Sequence, residues 1–211
     1  MSKTSRQGRL TGIQPRIRLA RSFDQGSHAY LGYCLFIHGN IGSETGGLSI
    51  GIGESAQDKF QFRSGDMVSG ESEPVADERK EPVQFYKTAR LKVLERGQEI
   101  LTSPPFLTIA PPLEVYREHG HRRLDAKTYD ANCASCMWGC RMPVEMIIDH
   151  WNPGKMKYRF ETFCYGPKNC RFYHPGKIRT VPGRKDMVWH EEDWVDEDET
   201  SHWDEGEGGI K

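Results

Sequence analysis

The stretch CASCMWGCRMPVEMIIDHWNPGKMKYRFETFCYGPKNCRFYH, residues 133–174, decides how the C-terminal part of this chain folds. Five of the six cysteines fall within it, in two groups: Cys133-x2-Cys136-x3-Cys140 and Cys164-x5-Cys170. Chains commonly surround one tetrahedral metal ion in this way, because two short turns each supply a pair of thiolates. The spacing therefore predicts a bound zinc ion.

The residues between the two cysteine groups predict a β-hairpin. Apolar and polar residues alternate over 144–149, turn residues occupy 152–155, and the alternation resumes on the return strand. On that strand the cations share one face and the apolar residues share the other: Lys155, Lys157 and Arg159 against Met156, Tyr158 and Phe160. The sequence thus predicts a two-stranded ribbon with one basic and one apolar face.

A hairpin with a cysteine pair at each end resembles a zinc ribbon, and the resemblance covers about residues 130–175. It implies four ligands: Cys133, Cys136, Cys164 and Cys170. The second pair departs from a plain ribbon, because five residues separate its cysteines instead of two. Cys140 is therefore kept as a replacement for Cys136, and His174 as a reserve ligand, since Cys164-x5-Cys170-x3-His174 also resembles the latter half of a Cys3His finger.

Two other uses of the cysteines are open at this point. A [4Fe–4S] cluster also takes three closely spaced cysteines and a distant one, but the intervening hairpin favours zinc. A disulfide framework requires an oxidising compartment, and the polar, basic residues 1–10 predict no signal peptide. Cys34 lies alone in an apolar run, and we expect it to be a small buried residue.

Residues 10–101 predict a small β-barrel. Strand-like segments recur with glycines between them, at 16–19, 29–38, 47–53, 60–68 and 83–94. The stretch FQFRSGDMVSG, residues 60–70, resembles the strand, Gly-Asp turn and strand of OB-fold barrels. The resemblance implies a mainly β protein with an OB-like barrel, whose loop 71–82 borders the ligand face. An immunoglobulin-like sandwich is the competing architecture, but no Cys-Trp-Cys spacing favours it.

The predicted organisation has five parts. Two Pro-Pro pairs in 102–112 indicate a stiff connector, because proline is excluded from the middle of a sheet or helix. The parts are a basic N-terminus (1–9), the OB-like barrel (10–101), the connector with a short basic segment (102–129), the zinc-ribbon-like module (130–185) and an acidic tail (186–211).

Charge is strongly segregated along the chain, although the formal net charge is only −1. Residues 1–21 hold six cations and no acid, whereas residues 190–211 hold ten acids against Lys211 alone. This asymmetry is typical of proteins that bind polyanions. We expect the tail to contact a protein partner or to compete with nucleic acid for the basic surface. No segment is long and apolar enough to cross a membrane, and a cytoplasmic, reducing location is expected.

The predicted module is rich in cations and aromatic rings. Phosphates neutralise lysine and arginine, while unpaired bases stack on exposed rings, so this composition favours single-stranded DNA or RNA. The candidate contact residues are Lys155, Lys157, Tyr158, Arg159, Lys168 and Arg171 on the module, with Arg122 and Arg123 before it. The predicted function is zinc-stabilised, non-catalytic nucleic-acid binding within a larger assembly.

Two alternatives belong to other functional classes. The order of the cysteines and of Asp149-His150 resembles HNH endonucleases, which implies His150 as a general base and Asp149 as a ligand of a catalytic divalent metal. The obstacle is that an HNH fold needs a helix after the hairpin turn, whereas residues 155–163 alternate as a strand. A protein–protein adaptor is the other alternative, suggested by the tryptophans in the acidic tail.

Overall fold

The computed structural model describes residues 3–22, 26–41, 44–98, 102–149, 151–152, 154–183, 185 and 187–190. Over these residues the fold is mainly β, as the sequence predicts. The elements of the N-terminal part are β1 (Thr4–Arg21), β2 (Gly26–Ile41), β3 (Glu44–Ile52), α1 (Glu54–Phe60), β4 (Met67–Pro74) and β5 (Phe85–Glu95). Those of the C-terminal part are α2 (Leu113–His119), β6 (Arg122–Arg123), α3 (Ala126–Thr128), a π-helical turn (Tyr129–Cys133), β7 (Gly139–Ile147), β8 (Met156–Cys164), β9 (Thr180–Pro182) and β10 (Val188–His190).

The first five strands close into a barrel. Neighbours pair in the ring order β1, β2, β3, β5, β4 and back to β1, with β3 and β5 parallel and the other pairs antiparallel. A helix, α1, connects the third strand to the fourth. A closed five-stranded barrel of this kind has no free sheet edges and encloses one core, which is the OB architecture. The predicted mainly β class is confirmed, and this barrel-like ring is in keeping with the predicted OB-like barrel.

Strand β1 is long enough to pair with strands in two parts of the sheet. Its first half pairs with β4, and its end, Leu19–Arg21, pairs in parallel with Val144–Met146 of β7. The strand bends at two register shifts against β2, where barrels commonly need a bulge. Gly8 and Gly39 face each other at a close approach, since a Cβ on Gly39 would lie 2.2 Å from the carbonyl oxygen of Gln7.

The Gly65-Asp66 turn is a buried polar anchor of the barrel. The Asp66 side chain is fully buried, and its carboxylate accepts hydrogen bonds from the backbone N–H groups of Gly97 (2.8 Å) and Arg63 (3.1 Å) and pairs with Arg96 (2.9 Å). One expectation here was wrong: Phe60 ends helix α1 instead of starting a strand. Phe62 is wholly buried in the core and lies in the loop after the helix. The apolar residues at 60 and 62 therefore reflect packing at a helix end and in a loop, not a strand.

The predicted hairpin is present and continues the barrel sheet. Strands β7 and β8 pair antiparallel from Gly139 opposite Cys164 to Ile147 opposite Met156. Together with β6 they extend the sheet to eight strands in the order β2, β3, β5, β4, β1, β7, β8, β6. The predicted boundary at 102–112 has no helix or strand, while one sheet and one hydrophobic core continue on both sides of it.

The two faces of the hairpin differ from the predicted basic and apolar faces. The face with Met142, Val144 and Met146 packs into the core, and Glu161 and Phe163 of β8 are buried on the same side. The opposite face, with Tyr158 and Phe160, is only half-buried. The core-facing side is set by the parallel pairing of β7 with β1, a long-range contact that period-two alternation does not encode. No helix in the described residues has the length and apolar character of a membrane span.

Candidate metal centre and nucleic-acid groove

The first cysteine turn lies between the π-helical turn and β7. The N–H of Cys136 donates to the carbonyl of Cys133 (3.1 Å), and the N–H of Gly139 donates to the carbonyl of Cys136 (3.0 Å). Only glycine fits at position 139, because a Cβ there would lie 2.5 Å from the Cys133 carbonyl oxygen. Cys133 and Cys136 are each 8% exposed. The turn therefore holds the two sulfurs at the start of a strand, as in a cysteine knuckle.

The second turn follows β8 and repeats one hydrogen-bond pattern of the first. The backbone N–H of Gly166 donates to Cys164 Sγ (3.3 Å), and the N–H of Trp138 likewise donates to the sulfur of Cys136, two residues before it. The N–H of Tyr165 also donates to the carbonyl of Trp138 (2.9 Å), which ties the two turns together. N–H donors directed at sulfur stabilise a thiolate, the form that binds metal.

The four cysteines predicted as ligands share one environment. Burial raises the pKa of Cys133 to about 12, and the charges of Cys136, Cys164 and Cys170 raise it further. The pKa of Cys136 rises to about 11, again mainly through burial, with additions from Cys164 and Cys170 and a partial offset from backbone N–H donors. Cys133, Cys136 and Cys164 are buried, and Cys170 is half-buried. A divalent cation placed among such thiols would reverse the rise in pKa of Cys133 and Cys136, because its charge favours thiolates.

The reserve ligands lie elsewhere. Cys140 is fully buried, its thiol donates to the carbonyl of Pro15 (3.6 Å), and the thiol whose charge acts on it is Cys34. Cys34 is buried, as expected. His174 is exposed, and its carbonyl accepts the N–H of Asp125 (2.9 Å). Within the described ranges, no three or more His, Cys, Asp or Glu side chains are grouped closely enough to hold a metal ion.

A buried glutamine of the barrel holds the first cysteine turn. The Nε2 of Gln14 on β1 donates to the carbonyls of Cys133 (2.8 Å), Cys136 (3.0 Å) and Ala134 (3.1 Å). Its Oε1 accepts the hydroxyl hydrogen of Tyr129 (2.7 Å). Sequence reasoning missed this residue, since an isolated glutamine in a strand carries no motif.

Two of the predicted nucleic-acid contacts are structural, which corrects the sequence-based assignment. Arg122 is buried and supports the second cysteine turn, donating to the carbonyls of Gly166 (2.7 Å) and Pro167 (2.9 Å) with Cys164 Sγ nearby (3.9 Å). Arg123 is buried against the carboxylate of Glu161. Neither guanidinium reaches the surface, because each satisfies buried acceptors that the alternation pattern did not reveal.

The other predicted contact residues are exposed or half-buried, and some of them already interact with groups of the protein. Lys155, Lys157 and Lys168 are exposed. Arg159 pairs with Glu161 and donates to the Thr180 carbonyl (2.7 Å). Arg171 is exposed, lies over the ring of Phe172 and donates to the Pro104 carbonyl (3.3 Å). The Tyr158 ring is covered by the cationic groups of Arg79 (4.5 Å) and Lys80 (5.3 Å) from the β4–β5 loop.

The residues of the nuclease alternative lie at the tip of the hairpin. Asp149 accepts the backbone N–H of Trp151 (3.1 Å), which is a turn-forming hydrogen bond. His150 lies outside the described residues, as does the acidic tail from residue 191 onward. The segment after the turn is strand β8, whereas an HNH site requires a helix there.

A groove of about 890 Å³ separates the barrel from the cysteine module. Residues of β1, β2 and β3, of the β4–β5 loop, of the first cysteine turn and of the half-buried face of the hairpin line it. The rings and charged groups that line it are Phe36, Phe160, Phe172, Tyr129, Arg141, Glu78, Glu81 and Asp130. Comparisons with protein-family models, with curated proteins and with solved structures returned no match to this chain.

Proposed function

We propose that this protein binds single-stranded DNA or RNA, non-catalytically, and that a zinc ion stabilises the cysteine module beside the groove. The observation that carries the proposal is the position of the groove. It runs over β2 and β3 of a closed five-stranded barrel and is bordered by the β4–β5 loop. This is the surface with which barrels of the OB type bind oligonucleotides.

The lining of the groove suits unpaired bases. Phe36, Phe160 and Phe172 are half-buried, so each offers part of a ring to the groove. Bases stack on such rings at about 1–3 kcal/mol each, whatever their sequence. Exposed rings of this kind suit a flexible strand whose bases are unpaired, whereas a duplex keeps its bases inside.

The role proposed for the metal is to hold the wall of the groove. Ala134 and Ser135 line the groove and lie between the cysteines of the first turn. Cys133, Cys136, Cys164 and Cys170 would hold the ion, which supplies folding free energy through its bonds to sulfur. Cys140 and His174 are left out of the ligand set, because Cys140 faces the barrel core and His174 is exposed.

Two measurements on protein purified without added metal test the proposal. Elemental analysis should find about one zinc per chain; iron with sulfide and a brown colour would replace zinc by a cluster. Fluorescence anisotropy should show that a labelled 15-residue oligothymidine or oligouridine binds more tightly than a duplex of the same length, with an affinity that falls as salt rises. Absence of binding to every probe at low salt would refute the proposed function.

A further inference from the structure

Several cations near the groove already pair with carboxylates of the protein. Arg16 and Arg18 on β1 both pair with the carboxylate of Glu81, at 2.9 Å and 2.7 Å. In the β4–β5 loop, Lys80 pairs with Glu145 at 2.9 Å. A phosphate that approached these groups would have to compete with a carboxylate already in place.

Arg141 on β7 is different. Its side chain is exposed, it lines the groove, and its guanidinium lies 4.7 Å from the centre of the Phe160 ring. In the part of the chain that the structure describes, no carboxylate or carbonyl accepts a hydrogen bond from it. An arginine stacked on a ring keeps its five N–H donors in the plane of the guanidinium, where a phosphate can accept two of them at once.

We propose that Arg141 and Phe160 form the anchoring subsite of the groove, in which Arg141 binds a phosphate of the single strand and Phe160 stacks on the adjacent base. This proposal rests on the proposed function and identifies one contact point of that site. Phe160 lies diagonally next to Arg141 across the hairpin, since Pro143 is its direct partner and Arg141 pairs with Thr162. One nucleotide therefore spans both side chains.

The carboxylates of the groove give the strand a preferred path. Glu78 and Asp130 are exposed and line the groove. They repel phosphate and accept hydrogen bonds from the amino groups of bases, as acidic side chains do with cytosine. The sugar–phosphate backbone is thus expected on the Arg141 side and the bases toward the carboxylates.

Anisotropy titrations of labelled oligothymidine over a salt series test this subsite with four variants. Arg141→Ala should weaken binding about 10-fold and reduce the slope of log affinity against log salt by about 0.7, since one phosphate contact is lost. Arg141→Lys should keep the slope but lose part of the affinity, because a lysine does not form the two-point contact. Phe160→Leu should weaken binding about fivefold or more without changing the slope. Lys92→Ala, which removes an exposed cation of β5 outside the groove, is the matched control and should stay within twofold.

The outcomes separate this inference from the proposed function. If the unmodified protein binds but Arg141→Ala leaves both affinity and slope unchanged, the subsite is wrong and the proposed function stands. If Lys92→Ala weakens binding as much as Arg141→Ala, the contact is a general effect of charge and the subsite is again refuted. If the unmodified protein binds no oligonucleotide, the proposed function itself fails. Thermal unfolding of the Arg141 and Lys92 variants should match the parent, because both side chains are exposed.

Discussion

Gln14 connects the barrel to the cysteine module, and replacing it with alanine should weaken both. Gln14 is 1% exposed, and its side chain extends from β1 to the first cysteine turn. Its amide group donates to three backbone carbonyls, and its oxygen accepts the hydroxyl of Tyr129. Water cannot replace these contacts without entering the core.

The magnitude follows from the number of hydrogen bonds lost. The amide has two N–H donors shared among three acceptors and accepts one O–H, so three full hydrogen bonds disappear in Gln14→Ala. At about 1 kcal/mol net for each, the direct loss is about 3 kcal/mol, and the stranded buried carbonyls bring the expected loss to about 3–4 kcal/mol. Because small domains have a total stability of about 5–15 kcal/mol, this is a large effect. Outer-shell groups that orient metal ligands typically change metal affinity about 10- to 100-fold, and the same is expected here.

Urea unfolding of the zinc-loaded protein measures the first effect, and titration with cobalt, followed by its thiolate absorption bands, measures the second. Gln7→Ala is the matched control, since Gln7 is a glutamine of the same strand whose side chain is exposed. The control should stay within about 0.5 kcal/mol of the parent. If Gln14→Ala also stays within about 1 kcal/mol and binds cobalt as tightly as the parent, Gln14 does not position the cysteine turn.

Three further predictions concern the cysteines, the barrel turn and pH. Cys164→Ser should abolish stoichiometric zinc binding in elemental analysis, whereas Cys140→Ser should retain it, because Cys140 faces the barrel core; equal zinc contents would contradict the ligand set. Asp66→Asn should lower the free energy of unfolding in urea by about 3 kcal/mol, because a buried carboxylate that accepts two N–H groups and pairs with arginine loses its charge; a loss below about 1 kcal/mol would contradict this role. Burial lowers the pKa of His28 to about 4 and that of His121 to about 3, so the unfolded chain binds protons first as pH falls below about 6.5. Stability should therefore be complete above that pH and fall toward pH 4 by up to about 1.4 kcal/mol per pH unit for each histidine, and unfolding midpoints for His121→Gln should be less pH-dependent than those of the parent.

Local patterns in the sequence predicted much of the fold. Period-two alternation on both sides of the turn at 152–155 indicated the β7–β8 hairpin, and glycine-spaced strands indicated a small barrel. Alternation reports that one face of a strand is buried, but it does not report against what. Alternation therefore could not predict which face of the hairpin is half-buried, and no local pattern predicted the burial of Arg122 and Arg123. Helix α1 was missed for a related reason, since Phe60 and Phe62 pack on the barrel from a helix end and a loop.

The sequence by itself determined which residues are candidate thiol ligands, because the spacing of the cysteines within two short turns is local information. Tertiary structure decided which of those thiols meet. The parallel pairing of β7 with β1 turns Cys140 toward the barrel core, while β8 carries Cys164 beside the first turn. It also created the groove, in which Phe36 of the barrel and Arg141 of the hairpin line one space although 105 positions separate them in the sequence. Contacts of that range depend on how the whole sheet closes, and no local window contains them.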